Sequence, residues 1–151
     1  VNEQELEELY RATAPRLRRY LGRLVDHADD LTQETFYRYL RAGYTASGED
    51  RVRILFTIAT NLARNAWTRT RTHEELHERT RAVDADPIER IDLIAALRNL
   101  SPRERALLWL THAEGYEHRE VARMMGMAQA SVRVLLFRAR RKLARLMERE
   151  R

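Results

Sequence analysis

Apolar residues recur at three- and four-residue steps along almost the whole chain. That spacing commits the chain to α-helices, and no two-residue alternation of the kind a half-buried strand needs stands out. Leu6, Leu9, Tyr10, Leu17, Tyr20, Leu21 and Leu24 predict a first amphipathic helix, with Pro15 expected to kink or restart it. Asp26 is the expected N-cap of a second helix over 27–42, with Leu31, Thr35, Phe36, Tyr39 and Leu40 inward and Gly43 at its end. The segment from Gly43 to Asp50 reads as a polar loop bounded by glycines. A third helix is expected over 51–70, burying Val52, Leu55, Phe56, Ala59, Leu62, Ala63 and Ala66.

The periodicity lapses from His73 to Asp86, a polar stretch ending at Asp86-Pro87, and resumes with Ile88, Ile91, Ile94, Ala95 and Leu97. The fold expected is therefore all-α: two small helical domains, 1–72 and 87–151, joined by a flexible linker at 73–86. Fully extended, about 15 linker residues span at most ~50 Å, enough for the halves to reach separate sites. Each half, at roughly 70 residues, buries only about 60% of its surface and is marginal alone. In the second half, Ser101-Pro102-Arg103-Glu104 combines a capping box with proline at the first helical position. The helix it starts is expected to bury Leu107, Leu108 and Trp109.

The sharpest local pattern lies at 117–145. Ala122, Gly126 and Val132 hold the small–glycine–apolar spacing of a helix-turn-helix: alanine lets two helices approach, glycine takes the left-handed turn, and valine seats the second helix on the first. Val121, Met125 and Met127 are expected to complete this core. At about 100° per residue, Val132, Leu136, Ala139, Leu143 and Leu146 form the buried face of the second helix. Ala130, Val134, Phe137, Arg138, Arg141 and Arg145 cluster opposite. Ser131 and Arg133 stand near its N-terminal end, where recognition helices meet base edges, and the arginines suit phosphates or guanine edges. Val134 and Phe137 fit either thymine methyl groups or another protein.

Charge distribution points the same way. The net charge is +5, nearly all the positive charge is arginine, and it is unevenly placed. Glu3, Glu5, Glu7, Glu8, Asp26, Asp29, Asp30 and Glu34 make the front acidic. The stretches Arg51–Thr72 and Val121–Met147 contain no acid. Ordinary surface helices mix signs, so two acid-free basic blocks on one chain suggest two contacts with a polyanion. The absence of cysteine excludes disulfides and thiolate metal sites. No apolar run approaches the ~20 residues of a membrane span, and the acidic N-terminus does not read as a signal peptide. A cytoplasmic protein without membrane insertion is expected. His73-Glu74-Glu75-Leu76-His77 matches the H-E-x-x-H zinc-protease pattern, with Glu74 as the base. Its polar setting and the lack of a third, glycine-spaced histidine weigh against catalysis. No catalytic residue, metal or cofactor is expected.

At Ala28-Asp29-Asp30-Leu31-Thr32-Gln33-Glu34-Thr35-Phe36 the chain resembles the extracytoplasmic-function (ECF) sigma factors of bacterial RNA polymerase. Ile58-Ala59-Thr60-Asn61-Leu62-Ala63-Arg64, Leu100-Ser101-Pro102-Arg103-Glu104-Arg105 and the helix-turn-helix from Glu120 to Leu143 continue the resemblance in order over nearly the whole chain. The resemblance implies an alternative sigma factor that binds polymerase core through the clamp helices and flap and directs promoter-specific initiation. An anti-sigma factor is a further candidate partner. Asp30, Gln33, Glu34 and Phe36 would then face the clamp helices. Asn61, Arg64, Arg69 and Arg71 would lie near the minus-ten element, and Ser131, Arg133, Phe137, Arg138 and Arg141 at the minus-thirty-five element. The linker would thread the polymerase between them. The chain departs from the family where aromatics are usual near Arg51 and Ile54, and at Ala128, Val134 and Leu135. The loop Tyr44–Asp50 is divergent too, with Tyr44 as the candidate platform for a flipped base. Two other readings stay open on residues alone: a helix-turn-helix regulator that never enters polymerase, and a sigma-like interaction protein that does not initiate transcription. For Asp29, Asp30 and Glu34, favourable charge at a helix N-terminus competes with docking.

Overall fold

The computed structural model describes residues 2–70 and 91–149, which fall into two compact units, one on either side of the intervening stretch. The expected linker, Arg71 and the H-E-x-x-H segment lie outside the described residues. Among those described there are seven α-helices and no strand.

In the first unit, α1 (Glu3–Gly22) starts at a capping box: the Asn2 side chain accepts from the Glu5 backbone N–H, and Glu5 reaches back to Asn2. The helix runs unbroken through Pro15 and does not restart there. Pro15 is exposed, so the missing N–H falls on the solvent side, while Ala14, Leu17, Tyr20 and Leu21 hold the inner face in place. The helix α2 (Ala28–Ala42) is capped not by Asp26 but by His27, which makes no side-chain capping bond. Asp29 and Asp30 in its first turn supply the favourable charge instead. It ends at Gly43 in the left-handed conformation, φ 67°. Leu40, expected inward, is exposed: it stands about 100° past Tyr39, outside the buried arc of Leu31, Thr32, Thr35, Phe36 and Tyr39.

The helix α3 (Glu49–Thr70) crosses both, and every apolar residue expected to be buried on it is buried. Ala59, Ala63 and Ala66 make a small-residue stripe, so the large side chains of this core, Leu17, Tyr20, Tyr39, Leu55 and Phe56, come from several helices at once. Each buried Leu or Phe contributes about 1.5–3 kcal/mol. Tyr20 packs its ring on Phe56, centroids 5.4 Å apart, and places its hydroxyl 2.7 Å from Thr60 Oγ1, which satisfies two buried polar groups together.

The second unit contains α4 (Ile91–Arg98), α5 (Pro102–Leu108), α6 (His118–Met125) and α7 (Gln129–Arg149). The capping box at Ser101 forms as expected: Ser101 Oγ accepts from the Glu104 N–H and the Glu104 carboxylate accepts from the Ser101 N–H. Beyond Leu108 the helix widens into a π turn, Trp109–Ala113. The buried face continues at α spacing from Ala106 and Leu107 to Leu110, four and three residues on, so Trp109 falls off it. Leu110 is fully buried and Trp109 only half so, with its indole N–H donating to Glu114 at 3.2 Å.

The helix-turn-helix forms between α6 and α7. Gly126 ends α6 at φ 66°, with Met127 N–H bonded to Ala122 O and Gly126 N–H to Arg123 O. That is a Schellman arrangement, and it turns the chain directly into α7. Val121, Ala122, Met124, Met125 and Val132 make the seat. Met124 takes the buried place expected for Met127, which is half-buried. Along α7, Val132, Leu136 and Ala139 are fully enclosed, whereas Leu143 and Leu146 are only half-buried, so the dry stripe is shorter than the periodicity suggested.

Candidate nucleic-acid interface

The buried stripe of α7 fixes which way its other side faces. Ser131, Val134, Phe137, Arg138, Arg141 and Arg145 are all exposed and share one face; Arg133, also exposed, stands on its edge, about 100° from Val134. Among the described residues no carboxylate pairs with Arg133, Arg138, Arg141 or Arg145. Arg141 is instead held over the ring of Phe137, 5.6 Å from its centroid. The face is thus positively charged, uncompensated and organised, and a polyanion in a groove is its natural complement.

The flank of α7 is tied to the rest of the unit. Lys142 Nζ meets the Glu104 carboxylate at 3.3 Å, linking α7 to the start of α5. Burial pushes that carboxyl up, but the Ser101 backbone N–H and Lys142 outweigh it and hold it below its ordinary value. Arg140 Nε donates to His112 Nε2 at 3.1 Å, which requires a neutral imidazole. Burial, then the charges of Arg140 and His118, press the His112 pKa down. Lys142 and Arg140 are thereby tied to the rest of the unit, in keeping with the periodicity that leaves them off the face of Arg138, Arg141 and Arg145.

On α3 the outward stripe carries Asn61, with Arg64 half-exposed beside it, and the Arg64 guanidinium donates to Asn61 Oδ1 at 3.4 Å. These two form one unit. Arg69 is exposed about 12 Å further along the helix and turned about 80° away. Near the start of α3, Tyr44 is exposed by 42% and lies nearly parallel to the buried Tyr39, centroids 5.4 Å apart. One face of Tyr44 is therefore backed by a ring, and burial pushes the Tyr39 phenol up.

The residues expected on a docking face do not stay together. Asp30 and Gln33 are exposed and Glu34 half-exposed, with Glu34 taking Arg38 at 2.8 Å. Phe36 turns the other way: it is 5% exposed and packs on Tyr10, centroids 4.8 Å apart. It belongs to the core of the first unit and supports the face rather than forming it. The sequence reading missed Tyr37, 55% exposed, and misplaced Leu40, 44% exposed; both share the face of Gln33, and Arg41 lies over the Tyr37 ring at 5.9 Å. Their positions four and seven residues beyond Gln33 were the available signal.

Residues 90–143 match the family model described as Sigma-70, region 4. The RNA polymerase sigma factor CarQ of Myxococcus xanthus is 31% identical over 93% of this chain and 88% of its own length. The ECF RNA polymerase sigma factor BldN of Streptomyces coelicolor is 34% identical over 80% of the chain, which spans 50% of BldN. Among solved structures, the sigma factor RpoE of Bartonella quintana, crystallised with the anti-sigma factor NepR, shares the fold with a TM-score of 0.75 at 22% identity, over 98% of this chain and 99% of RpoE. The chain belongs to the ECF RNA polymerase sigma factors, and its function is to bind the polymerase and direct transcription initiation at specific promoters.

Proposed function

We propose that this sigma factor works through three surfaces, one on each of α2, α3 and α7. The observation that carries the reading is the exposed, uncompensated arginine face of α7, seated by Ala122, Gly126 and Val132. In this reading Ser131, Arg133, Phe137, Arg138 and Arg141 contact the minus-thirty-five element. Arg138 and Arg141 hold phosphates or guanine edges, and Ser131 sits at the base-reading end of the helix. The Asn61–Arg64 pair, with Arg69 and Arg71, lies at the minus-ten element. Tyr44, backed by Tyr39, offers a stacking surface that offsets part of the cost of unstacking a base. Asp30, Gln33 and Glu34 face the clamp helices, with Phe36 holding that surface from beneath.

Residues 1–72 form the docking and minus-ten-reading domain and residues 87–151 the minus-thirty-five-reading domain, with 73–86 threading the polymerase between them. The protein has no chemistry of its own in this scheme; phosphodiester formation belongs to the polymerase. A cytoplasmic location follows from that partner, and no described helix is long and apolar enough to cross a membrane. An anti-sigma factor is a further partner, supported by the NepR complex of RpoE.

Run-off transcription from a random promoter library, with polymerase core in the presence and absence of this protein, tests the whole reading. Transcripts that require the protein and share two spaced elements support it. Core binding without such transcripts would leave a sequestering protein, and sequence-specific DNA binding without core binding a simple regulator.

A further inference from the structure

Val134 and Phe137 are out of place on a basic face. They are 47% and 58% exposed, and they sit among Ser131, Arg138, Arg141 and Arg145 on the groove-facing side of α7. They make no part of the core, which Val132, Leu136 and Ala139 complete without them.

We propose that Val134 and Phe137 read the 5-methyl groups of thymines in the upstream promoter element, so that this recognition helix selects its site by apolar contact as well as by arginine. The inference rests on α7 entering the major groove as described above. The thymine methyl is the apolar group that base edges present in that groove, and it distinguishes T·A from the other pairs. The two side chains are three residues apart, about 4.5 Å along the helix against a base-pair rise of about 3.4 Å, so they reach neighbouring base pairs. Both lie in the first half of α7, the part of a recognition helix that enters the groove. Arg141 over the Phe137 ring fixes the ring beside a cation, so one apolar contact and one phosphate or guanine contact are delivered together. Charge argues for DNA over a protein surface here. There is no acid from Val121 to Met147, and Arg133, Arg138 and Arg141 flank an apolar pair that is far smaller than a protein-docking patch.

The test uses holoenzyme assembled from polymerase core and the full chain, bound to duplex probes carrying the upstream element recovered from the promoter library. Each thymine of the element is replaced in turn by deoxyuridine, which removes only the methyl group. Replacement at one or two neighbouring positions is expected to weaken binding about fourfold each, the value of one buried methyl group. In Phe137→Ala the sensitivity at one of those positions disappears, and in Val134→Ser the sensitivity at the other. Uracil-insensitive but otherwise sequence-specific binding overturns the proposal and leaves the role of α7 standing. An element without thymine does the same. Loss of all sequence-specific binding through α7 removes both. If Phe137→Ala leaves the uracil effect intact and weakens core binding, the patch is a protein contact and the proposal is wrong.

Discussion

Replacing Gly126 with alanine isolates the backbone requirement on which the presentation of α7 depends. The residue sits at φ 66°, ψ 40°, and its left-handed geometry lets Met127 N–H reach Ala122 O at 3.0 Å. An L-side chain in that conformation costs about 1–2 kcal/mol, because its Cβ crowds the neighbouring carbonyl. For a unit of this size each kcal/mol lowers the midpoint by about 4–8 °C, so Gly126→Ala is expected to lose about 4–16 °C. Asparagine tolerates the left-handed region and should cost less. D-alanine, introduced by ligation, prefers it and should restore or exceed the glycine value by restricting the unfolded chain. Trp67 and Trp109 are the only tryptophans, so Trp67→Phe as background makes thermal unfolding by fluorescence report the second unit alone. An unchanged midpoint for L-alanine would refute the argument. D-alanine as damaging as L-alanine would refute it differently, by showing that the space, not the torsion angle, excludes a side chain. Well below the midpoint, upstream-element affinity should be unaltered, since residue 126 contacts no DNA in this scheme.

Arg138→Ala should weaken upstream-element binding by about 1–3 kcal/mol if the guanidinium holds a guanine edge; equal losses on all sequences, with a reduced salt slope, would reassign it to phosphate. Gln33→Ala should lower polymerase affinity with the thermal midpoint unchanged, whereas Phe36→Ala should cost about 3–5 kcal/mol of stability by emptying a core position; a fully stable Phe36→Ala would contradict its burial. The folded-state pKa of His112 lies below its ordinary value, through burial first and then the charges of Arg140 and His118. The folded protein therefore binds fewer protons than the unfolded chain. Stability contributed above about pH 6.5 should fall as the pH drops below it, and His112→Gln should flatten that fall in unfolding midpoints measured from pH 7 to 5.

What could be read from the sequence divides along a physical line. Where a position is decided by its own helix, pattern sufficed: Val52 to Ala66 alternate in and out of the core as the 3.6-residue period requires, and Ser101–Glu104 closes its capping box locally. Where the period was not carried through, the reading failed. Leu110, three residues after Leu107 and four after Ala106, holds the buried place given to Trp109, which is half-buried. The restart expected at Pro15 does not occur. A residue that should break a helix is carried through it because its missing donor faces solvent, a fact about orientation within the unit rather than about proline.

The functional face was harder to read than the fold because one residue type serves both. Phe36 and Phe137 are alike in chemistry, yet one is 5% and the other 58% exposed. Their helical neighbours separate them. Phe36 shares its arc with Thr32, Thr35 and Tyr39, all buried, although Gln33 and Leu40, three before and four after it, are exposed; Phe137 has Arg133, Val134, Arg140 and Arg141 at i±3 and i±4, all exposed. A ring whose i±3 and i±4 neighbours all face solvent lies outside with them, since these occupy the same patch of helix surface, whereas a ring at the edge of a buried arc is placed by what packs on it. The motif around Gln33 placed Phe36 on a docking face by position in the family pattern, whereas its neighbours placed it in the core. The same rule puts Tyr37, four residues after Gln33 and four before Arg41, on the outside, where the structure has it. Family resemblance thus proposes where an interface lies, and burial decides which side chains within it are free to reach a partner.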